Sequence, residues 1–148
     1  MIKRKKIEHD IESLIPLLVE RLQKEKDAIF AHLFGSHARG KATALSDVDI
    51  ALFVDKASFS PDRKLELIEL LIDLLKTDEI DLVILNDAAP SIVHSVVKDG
   101  RLLFSRDEKR RVKFIARAQK EYMDMEYYRR KYFSKLKERI KEGKFGIP

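Results

Sequence analysis

Hydrophobic residues occur along this chain in two patterns, a spacing of three to four residues that is typical of amphipathic helices and short continuous runs that are typical of buried strands. The helical spacing covers four segments: Ile7–Glu25, 60–76, 90–98 and 107–142. The short apolar runs are Ala28–Phe34, Asp47–Val54, Glu79–Leu85 and, as a short edge strand, Gly100–Phe104. This mixture of elements predicts an α+β fold with an appended long C-terminal helix.

Residues with special backbone preferences mark the helix ends. Ser60 and Pro61 are typical of an N-cap and a first helical residue, whereas Pro16 lies inside the first helical pattern and predicts a kink or a new start there. Leucine and isoleucine cover most of the circumference of the helix that follows Pro61, so we expect this helix to be buried on more than one side. Gly143 and Gly146 end the last helix.

The composition excludes several classes of protein. The 148 residues include no cysteine, which excludes disulfide scaffolds, thiolate zinc sites and cysteine nucleophiles and fits a reducing compartment. The apolar runs are too short for a secretion signal or a membrane span, so we expect a cytoplasmic protein without membrane contact. Because the sequence contains neither a repeat nor a linker, residues 1–148 are expected to form one domain.

The net charge of +5 is unevenly distributed along the chain. Residues 101–148 contain 16 Lys and Arg against 7 Asp and Glu, whereas residues 1–100 contain 14 against 18. A basic helix is compatible with a solvated face, a polyanion contact or a docking surface. We interpret this helix as a partner-docking or solvated face, and we do not expect direct binding of nucleic acid.

Three carboxylates interrupt the predicted strands. Asp47 and Asp49 are two residues apart, so their side chains project from one face of a strand, and Asp81 lies between Ile80 and Leu82 in the next strand. Neighbouring carboxylates repel each other, and a divalent cation such as Mg²⁺ or Mn²⁺ resolves this conflict. If the two strands are neighbours, the three carboxylates converge and can hold two ions about 4 Å apart, as in enzymes that attack phosphorus in line.

A glycine–serine pair follows the first predicted strand. Gly35 permits a tight turn and a close approach to a ligand, and Ser36 adds a hydroxyl and an N–H group where an anionic phosphate is favoured. Arg39 and Lys41 add positive charge beside this pair. The small and polar residues of Gly35–Ser46 are expected to form a loop or a helical turn.

These motifs resemble those of a known family. Gly35-Ser36, ten further residues and Asp47-x-Asp49 form a signature similar to that of the nucleotidyltransferases related to DNA polymerase beta, in their small single-domain form. The segments 81–83 (DLV), 86–90 (NDAAP) and 100–104 (GRLLF) resemble the minimal nucleotidyltransferases called MntA, antitoxins that are paired with HEPN-domain HepT toxins. The resemblance covers a core of about residues 25–106, followed by the helix at about 107–142, and implies a small mixed sheet flanked by helices.

The resemblance also implies a role for each motif residue. Asp47 and Asp49 would hold two Mg²⁺ ions, or Mn²⁺ in their place, that bridge the nucleotide phosphates, and Asp81 would complete the metal site and help to deprotonate the acceptor. The residues implied to bind the nucleotide are Gly35, Ser36 and Arg39. In MntA-type members ATP is the donor, and the acceptor is a tyrosine of the cognate toxin, an RNase that AMPylation inactivates.

The resemblance therefore implies an adenylyltransferase that acts on a HEPN toxin in trans, as a homo-oligomer or as a hetero-oligomer with the toxin. Two other functions stay open. The basic, aromatic last helix favours an antitoxin that acts mainly by direct binding, and nucleotidyl transfer to a small molecule or an RNA end is the other alternative. The aromatic series in that helix is expected to belong to the core and an interface: Tyr122, Tyr127, Tyr128, Tyr132 and Phe133. The histidines His32 and His94 are expected on helix faces or in the core.

Overall fold

In this computed structural model the described residues are 11–35, 38 and 47–143, and they form four strands and four helices. The strands are β1 (Ala28–Phe34), β2 (Val48–Val54), β3 (Ile80–Ile84) and β4 (Arg101–Ser105). The helices are α1 (Ile11–Gln23), α2 (Pro61–Leu75), α3 (Pro90–Asp99) and α4 (Glu108–Lys141). Each element expected from the hydrophobic pattern is present, and the expected α+β fold is confirmed. Two short 3₁₀ turns that the pattern did not predict follow β2 and β3: Lys56–Ser58 and Leu85–Asp87.

The four strands form one mixed sheet in the order β3-β2-β1-β4. β1 pairs antiparallel with β2 and with β4, whereas β2 pairs parallel with β3. The parallel register places Asp49 opposite Asp81, and the antiparallel register places Phe34 opposite Asp49. β4 lies at one edge of the sheet, as expected, and β3 lies at the other. The residues around Asp49 are therefore brought together by the order of the three strands β3, β2 and β1.

Helices cover both faces of the sheet and form two apolar cores. The core under α1 and α2 contains fully buried leucines from both helices: Leu18, Leu22, Leu67, Leu71 and Leu75. The core under α3 and α4 is built around Phe30, which stacks on Phe53 with ring centroids 5.1 Å apart. Phe114 of α4 lies 4.6 Å from the ring of Phe53. Burial of such aromatic and aliphatic surface is the main favourable term in folding.

α2 buries one face, and the expectation that it is buried on more than one side was wrong. Its start is as predicted, because Ser60 Oγ accepts a hydrogen bond of 3.2 Å from the N–H of Arg63. The fully buried leucines of α2 are four residues apart and share one face, whereas Leu65 on the opposite side is 60% exposed. Among the described residues, no second layer covers that outer side of α2.

α1 runs through Pro16 as one helix, and residues 7–10, where the pattern placed its start, lie outside the described residues. A partly buried ion pair joins the loop after α1 to α2. Arg63 donates from Nε to Asp27 Oδ2 at 2.8 Å and from Nη2 to Asp27 Oδ1 at 2.9 Å. These hydrogen bonds lower the pKa of Asp27. The bidentate geometry fixes the entry into β1.

α4 extends beyond the layer that it covers. Its first part packs on the sheet and on α3, where Ala118 is buried and His94 stacks on Tyr122 with ring centroids 4.0 Å apart. After Tyr122 seven large apolar side chains are 52–68% exposed, and we call this set the α4 aromatic face: Met123, Met125, Tyr127, Tyr128, Tyr132, Phe133 and Ile140. The prediction that the aromatic residues after Tyr122 belong to the core is therefore wrong. That these residues form an interface stays a prediction. No helix among the described residues is both long enough and apolar enough to cross a bilayer.

His32 is buried in the sheet, as expected for a core histidine. Its side chain is 5% exposed, and neither ring nitrogen has a hydrogen-bond partner among the described residues. The ring lies edge-on to Phe30 with centroids 5.9 Å apart. Burial, and to a smaller extent the charge of Arg111, lowers the pKa of His32 from 6.5 to about 4.

Acid should therefore destabilise the protein through His32 before the carboxylates titrate. The unfolded chain takes up this proton near pH 6.5 and the folded chain near pH 4, so the free energy of unfolding falls as the pH decreases between these values. We expect a loss of about 2 kcal/mol between pH 7 and pH 5, measured by urea denaturation. A His32→Leu variant should lack this loss, and a His94→Gln variant should retain it. An equal loss in His32→Leu would contradict the assignment.

Candidate functional site

Two carboxylates lie side by side at the start of β2 and β3. Asp49 and Asp81 are paired residues of parallel strands, so their side chains project from the same face of the sheet. Ile50 and Leu82, which follow them, are buried in the core under α1 and α2, so the two acids lie on the opposite face. Asp49 is half-buried and Asp81 is exposed. The condition for the three-carboxylate prediction, that the two strands are neighbours, is met.

The third predicted acid, Asp47, lies one residue before β2 and is exposed. The backbone at this point is held against the chain before β3, because the N–H of Val48 donates to the carbonyl of Glu79 at 2.9 Å. Within the described part of the chain, no three His, Cys, Asp or Glu side chains come close enough together to hold a metal ion. The structure thus pairs Asp49 with Asp81 and does not bring Asp47 close enough to both for a three-carboxylate cluster. The binding of metal ions by the three acids stays a prediction.

Gly35 touches the carboxylate of Asp49. It directly follows β1 and has a φ of +75°, a conformation that residues with a Cβ adopt only at a cost. A Cβ on Gly35 would overlap Asp49 Oδ2 and would lie 3.1 Å from Asp49 Cγ. Glycine is therefore required here both by the backbone and by the neighbouring side chain. The predicted phosphate-binding turn and the predicted metal-binding acid are in direct contact.

The chemistry of this site fits a divalent cation and an anionic ligand. Carboxylate oxygens are the ligands that Mg²⁺ and Mn²⁺ prefer, and a glycine turn lets backbone N–H groups approach phosphate oxygens. Ser36 and Arg39, the other residues implied to bind the nucleotide, lie outside the described residues, as does Lys41. Their roles stay predictions.

A groove follows the free edge of β3, beginning at Asp81, and we call it the edge groove. It has a volume of about 790 Å³. The first turn of α2 and the first turn of α3 form its two sides. Its lining includes Phe59, Pro61, Lys64, Asp81 and Ile92. Sequence reasoning missed all of these except Asp81, because they come from three separate segments and carry no motif.

Asn86, in the turn after β3, binds the end of β2 through its side chain. Its Oδ1 accepts from the N–H of Val54 at 2.9 Å, and its Nδ2 donates to the carbonyl of Val54 at 2.8 Å. This pair of bonds joins the turn after β3 to the last residue of β2. Beside it, the side chain of Lys56 forms an ion pair with Asp87 across the two 3₁₀ turns. A side-chain amide that satisfies both backbone groups of one residue could not be recognised from the sequence.

Comparisons with known proteins identify the family and the fold. The family model described as "Polymerase beta, Nucleotidyltransferase" matches residues 17–109. No curated protein sequence matches the chain. One similar solved structure is a toxin–antitoxin complex with AMP-PNP, 23% identical, with a TM-score of 0.65 and coverage of 80% of this chain and 94% of that one.

Two further structures are similar at 21% identity and a TM-score of 0.63. One is a MntA–HepT toxin–antitoxin complex, with coverage of 84% of this chain and 97% of that chain. The other is a tri-AMPylated Shewanella oneidensis HEPN toxin in complex with an MNT antitoxin, with coverage of 84% of this chain and 98% of that chain. At these identities the likeness is one of fold, and it confirms the expected small mixed sheet of the polymerase beta type with its flanking helices.

Proposed function

The chain belongs to the polymerase beta nucleotidyltransferase family, and from this premise we propose that it is a cytoplasmic, Mg²⁺-dependent adenylyltransferase that transfers AMP from ATP to a tyrosine of a HEPN-domain toxin. It would thereby inactivate the toxin and act as its antitoxin. The observation that carries the proposal is the contact of Gly35 with Asp49, together with the pairing of Asp49 and Asp81. The similar structures with AMP-PNP and with an AMPylated toxin support the choice of donor and partner.

Three acids would hold the metal ions. Asp47 and Asp49 lie at the start of β2 and would hold the ions beside the nucleotide, whereas Asp81 on β3 would complete the site on the acceptor side. When bound, the ions neutralise the charge that develops on the α-phosphoryl group and on the leaving pyrophosphate. Because Asp49 also touches Gly35, the ion-binding acids and the phosphate-binding turn keep a fixed spacing.

The proposed reaction is an in-line displacement at the α-phosphorus of ATP. The tyrosine oxygen forms a bond to this phosphorus, the bond from the phosphorus to the bridging oxygen of the β-phosphate breaks, and pyrophosphate leaves with that oxygen. Asp81 accepts the phenolic proton as the new bond forms. Gly35, Ser36 and Arg39 would hold the triphosphate. The protein contributes mainly positioning and electrostatic stabilisation.

The test is the transfer of label from ATP to the protein encoded by the neighbouring gene, which we expect to be a HEPN-domain toxin. With Mg²⁺, the wild-type protein should label that toxin, and an Asp47→Ala/Asp49→Ala protein should not. Conversion of the labelled residue to phenylalanine should remove the label. Equal labelling by the double variant, or a neighbouring gene of another kind, would contradict the proposal.

The α4 aromatic face favours a second candidate function, neutralisation of the toxin by docking alone. Seven large apolar side chains on this part of the helix are more than half exposed, and the surrounding charges are mostly basic. Exposed aromatic residues with arginine nearby are typical of protein interfaces. The two functions differ in cells: if the Asp47→Ala/Asp49→Ala protein protects against the toxin as well as the wild type, docking is the better account.

A further inference from the structure

The free edge of β3 carries backbone groups that no described strand pairs with. The carbonyl of Glu79 accepts from the N–H of Val48, so it points toward β2. Because backbone directions alternate along a strand, the N–H and C=O groups of Ile80 and Leu82 and the N–H of Ile84 point the other way, toward the edge groove. The C=O of Ile84 begins the 3₁₀ turn Leu85–Asp87. An open edge of this kind can pair with an added strand.

The walls of the edge groove suit a peptide that is partly apolar and partly acidic. Phe59 and Pro61 line the α2 side, and Ile92, which is 44% exposed, lines the α3 side. Lys64 is half-buried beside them, and within the described part of the chain its ammonium group has neither a hydrogen bond nor an ion pair. A carboxylate on an incoming segment would pair with this ammonium group in a partly desolvated position.

The strand order fixes the side from which an acceptor approaches. Across the sheet the order is Asp81 on β3, Asp49 on β2 and Gly35 after β1. If Gly35 lies on the side of the leaving pyrophosphate, an in-line attack must come from the opposite side, which is the side of Asp81. The edge groove begins at Asp81, which is exposed.

We propose that the acceptor protein binds in the edge groove as an extended segment that pairs with β3 as a fifth strand, with its hydroxyl-bearing residue at Asp81. This inference rests on the proposed function and adds the binding mode of the acceptor. The paired segment has about the length of β3, five residues. Its acidic residue faces Lys64, and its apolar residues face Ile92 and Phe59.

The main test compares Ile84→Pro with Ile84→Ala. Both variants remove side-chain bulk, but only proline removes the N–H that points toward the groove, and the φ of −92° at Ile84 is close to the range of proline. With the protein that the wild-type chain labels as acceptor, the loss of one backbone hydrogen bond should raise the KM of Ile84→Pro about 3- to 10-fold over that of Ile84→Ala. The affinity for ATP should be equal in the two variants.

A charge reversal tests the second feature of the groove. Lys64→Glu should raise the KM for the acceptor, whereas Lys109→Glu, the same change at an exposed position on α4, should leave it unaltered. Equal values for the proline and alanine variants would overturn strand addition, even if Lys64→Glu weakens binding. That combination would instead indicate electrostatic docking of an acceptor that does not pair with β3.

Hydrogen exchange in the wild-type protein gives a readout that does not depend on the folding of any variant. The amides of Leu82 and Ile84 should exchange more slowly in the complex with the acceptor than in the free protein. Unchanged exchange at both amides would overturn the inference. If the wild-type protein labels the acceptor but the changes in KM and in hydrogen exchange are absent, only the binding mode in the edge groove is refuted. If the wild-type protein never labels the acceptor, the proposed function is refuted as well.

Discussion

Asp81→Asn should lower the rate of AMP transfer about 10²- to 10⁴-fold, because a positioned general base usually contributes a factor of this size. The affinity for ATP should change by less than about threefold. Asp81 lies at the exposed edge of the sheet, on the acceptor side, and asparagine has nearly the same shape but cannot accept the proton. Asp49→Asn should differ, because this acid lies between Asp81 and Gly35 and would hold the ions that bridge the phosphates. We expect it to lose both transfer and tight binding of ATP.

Single-turnover labelling and equilibrium binding of ATP separate the two roles. Asp87→Asn is the matched control, because Asp87 is another acid of the edge groove and forms an ion pair with Lys56. It should retain transfer within about threefold, since an exposed ion pair contributes little. A wild-type transfer rate in Asp81→Asn, or a loss of equal size in Asp87→Asn, would contradict the role of Asp81.

Gly35→Ala should reduce the rate of AMP transfer and the affinity for ATP by at least about 100-fold, because even a small misplacement of reacting groups can lower a rate by about this factor. The new methyl group would overlap Asp49 Oδ2, so either the carboxylate or the turn after β1 must move. The positive φ adds strain of about 1–2 kcal/mol, which lowers the free energy of unfolding as well.

Gly143→Ala is the control that separates the effect of backbone strain at positive φ from the effect of the overlap with Asp49. Gly143 follows α4 and has a φ of +73°, almost the same as Gly35, but a Cβ there has nothing within 4 Å. Both variants should therefore lose stability in thermal denaturation through the strain at positive φ, and only Gly35→Ala should lose transfer. Equal activity of the two variants would show that the contact between Gly35 and Asp49 is not needed for catalysis.

The positions of the strands and helices could be predicted because local patterns determine them. β1 has the predicted bounds Ala28–Phe34, and α2 starts at the predicted cap because Ser60 and Pro61 favour a helix start without any tertiary contact. The exposure of whole helix faces could not be predicted in the same way. Leu65 and the α4 aromatic face are apolar but exposed, because periodicity records which residues share a face and not whether another layer covers it.

The acids of the site could be predicted as a set, because a carboxylate inside an apolar strand costs folding free energy and therefore indicates a function such as metal binding. Their arrangement was not, because it depends on which strands are neighbours. The parallel pairing of β2 with β3 places Asp81 beside Asp49, and the antiparallel pairing of β1 with β2 brings Gly35 against it. A different strand order would keep every motif and separate these residues.

The sequence by itself determined the elements, the family resemblance and the identity of the motif residues, since these depend on short-range spacing and on side-chain chemistry. The tertiary structure alone decided that β3 is an edge strand, that the first turns of α2 and α3 enclose a groove beside Asp81, and that Lys64 lies in this groove. Contacts between segments that are distant in the chain depend on how the sheet is ordered and packed, and no local pattern encodes that order.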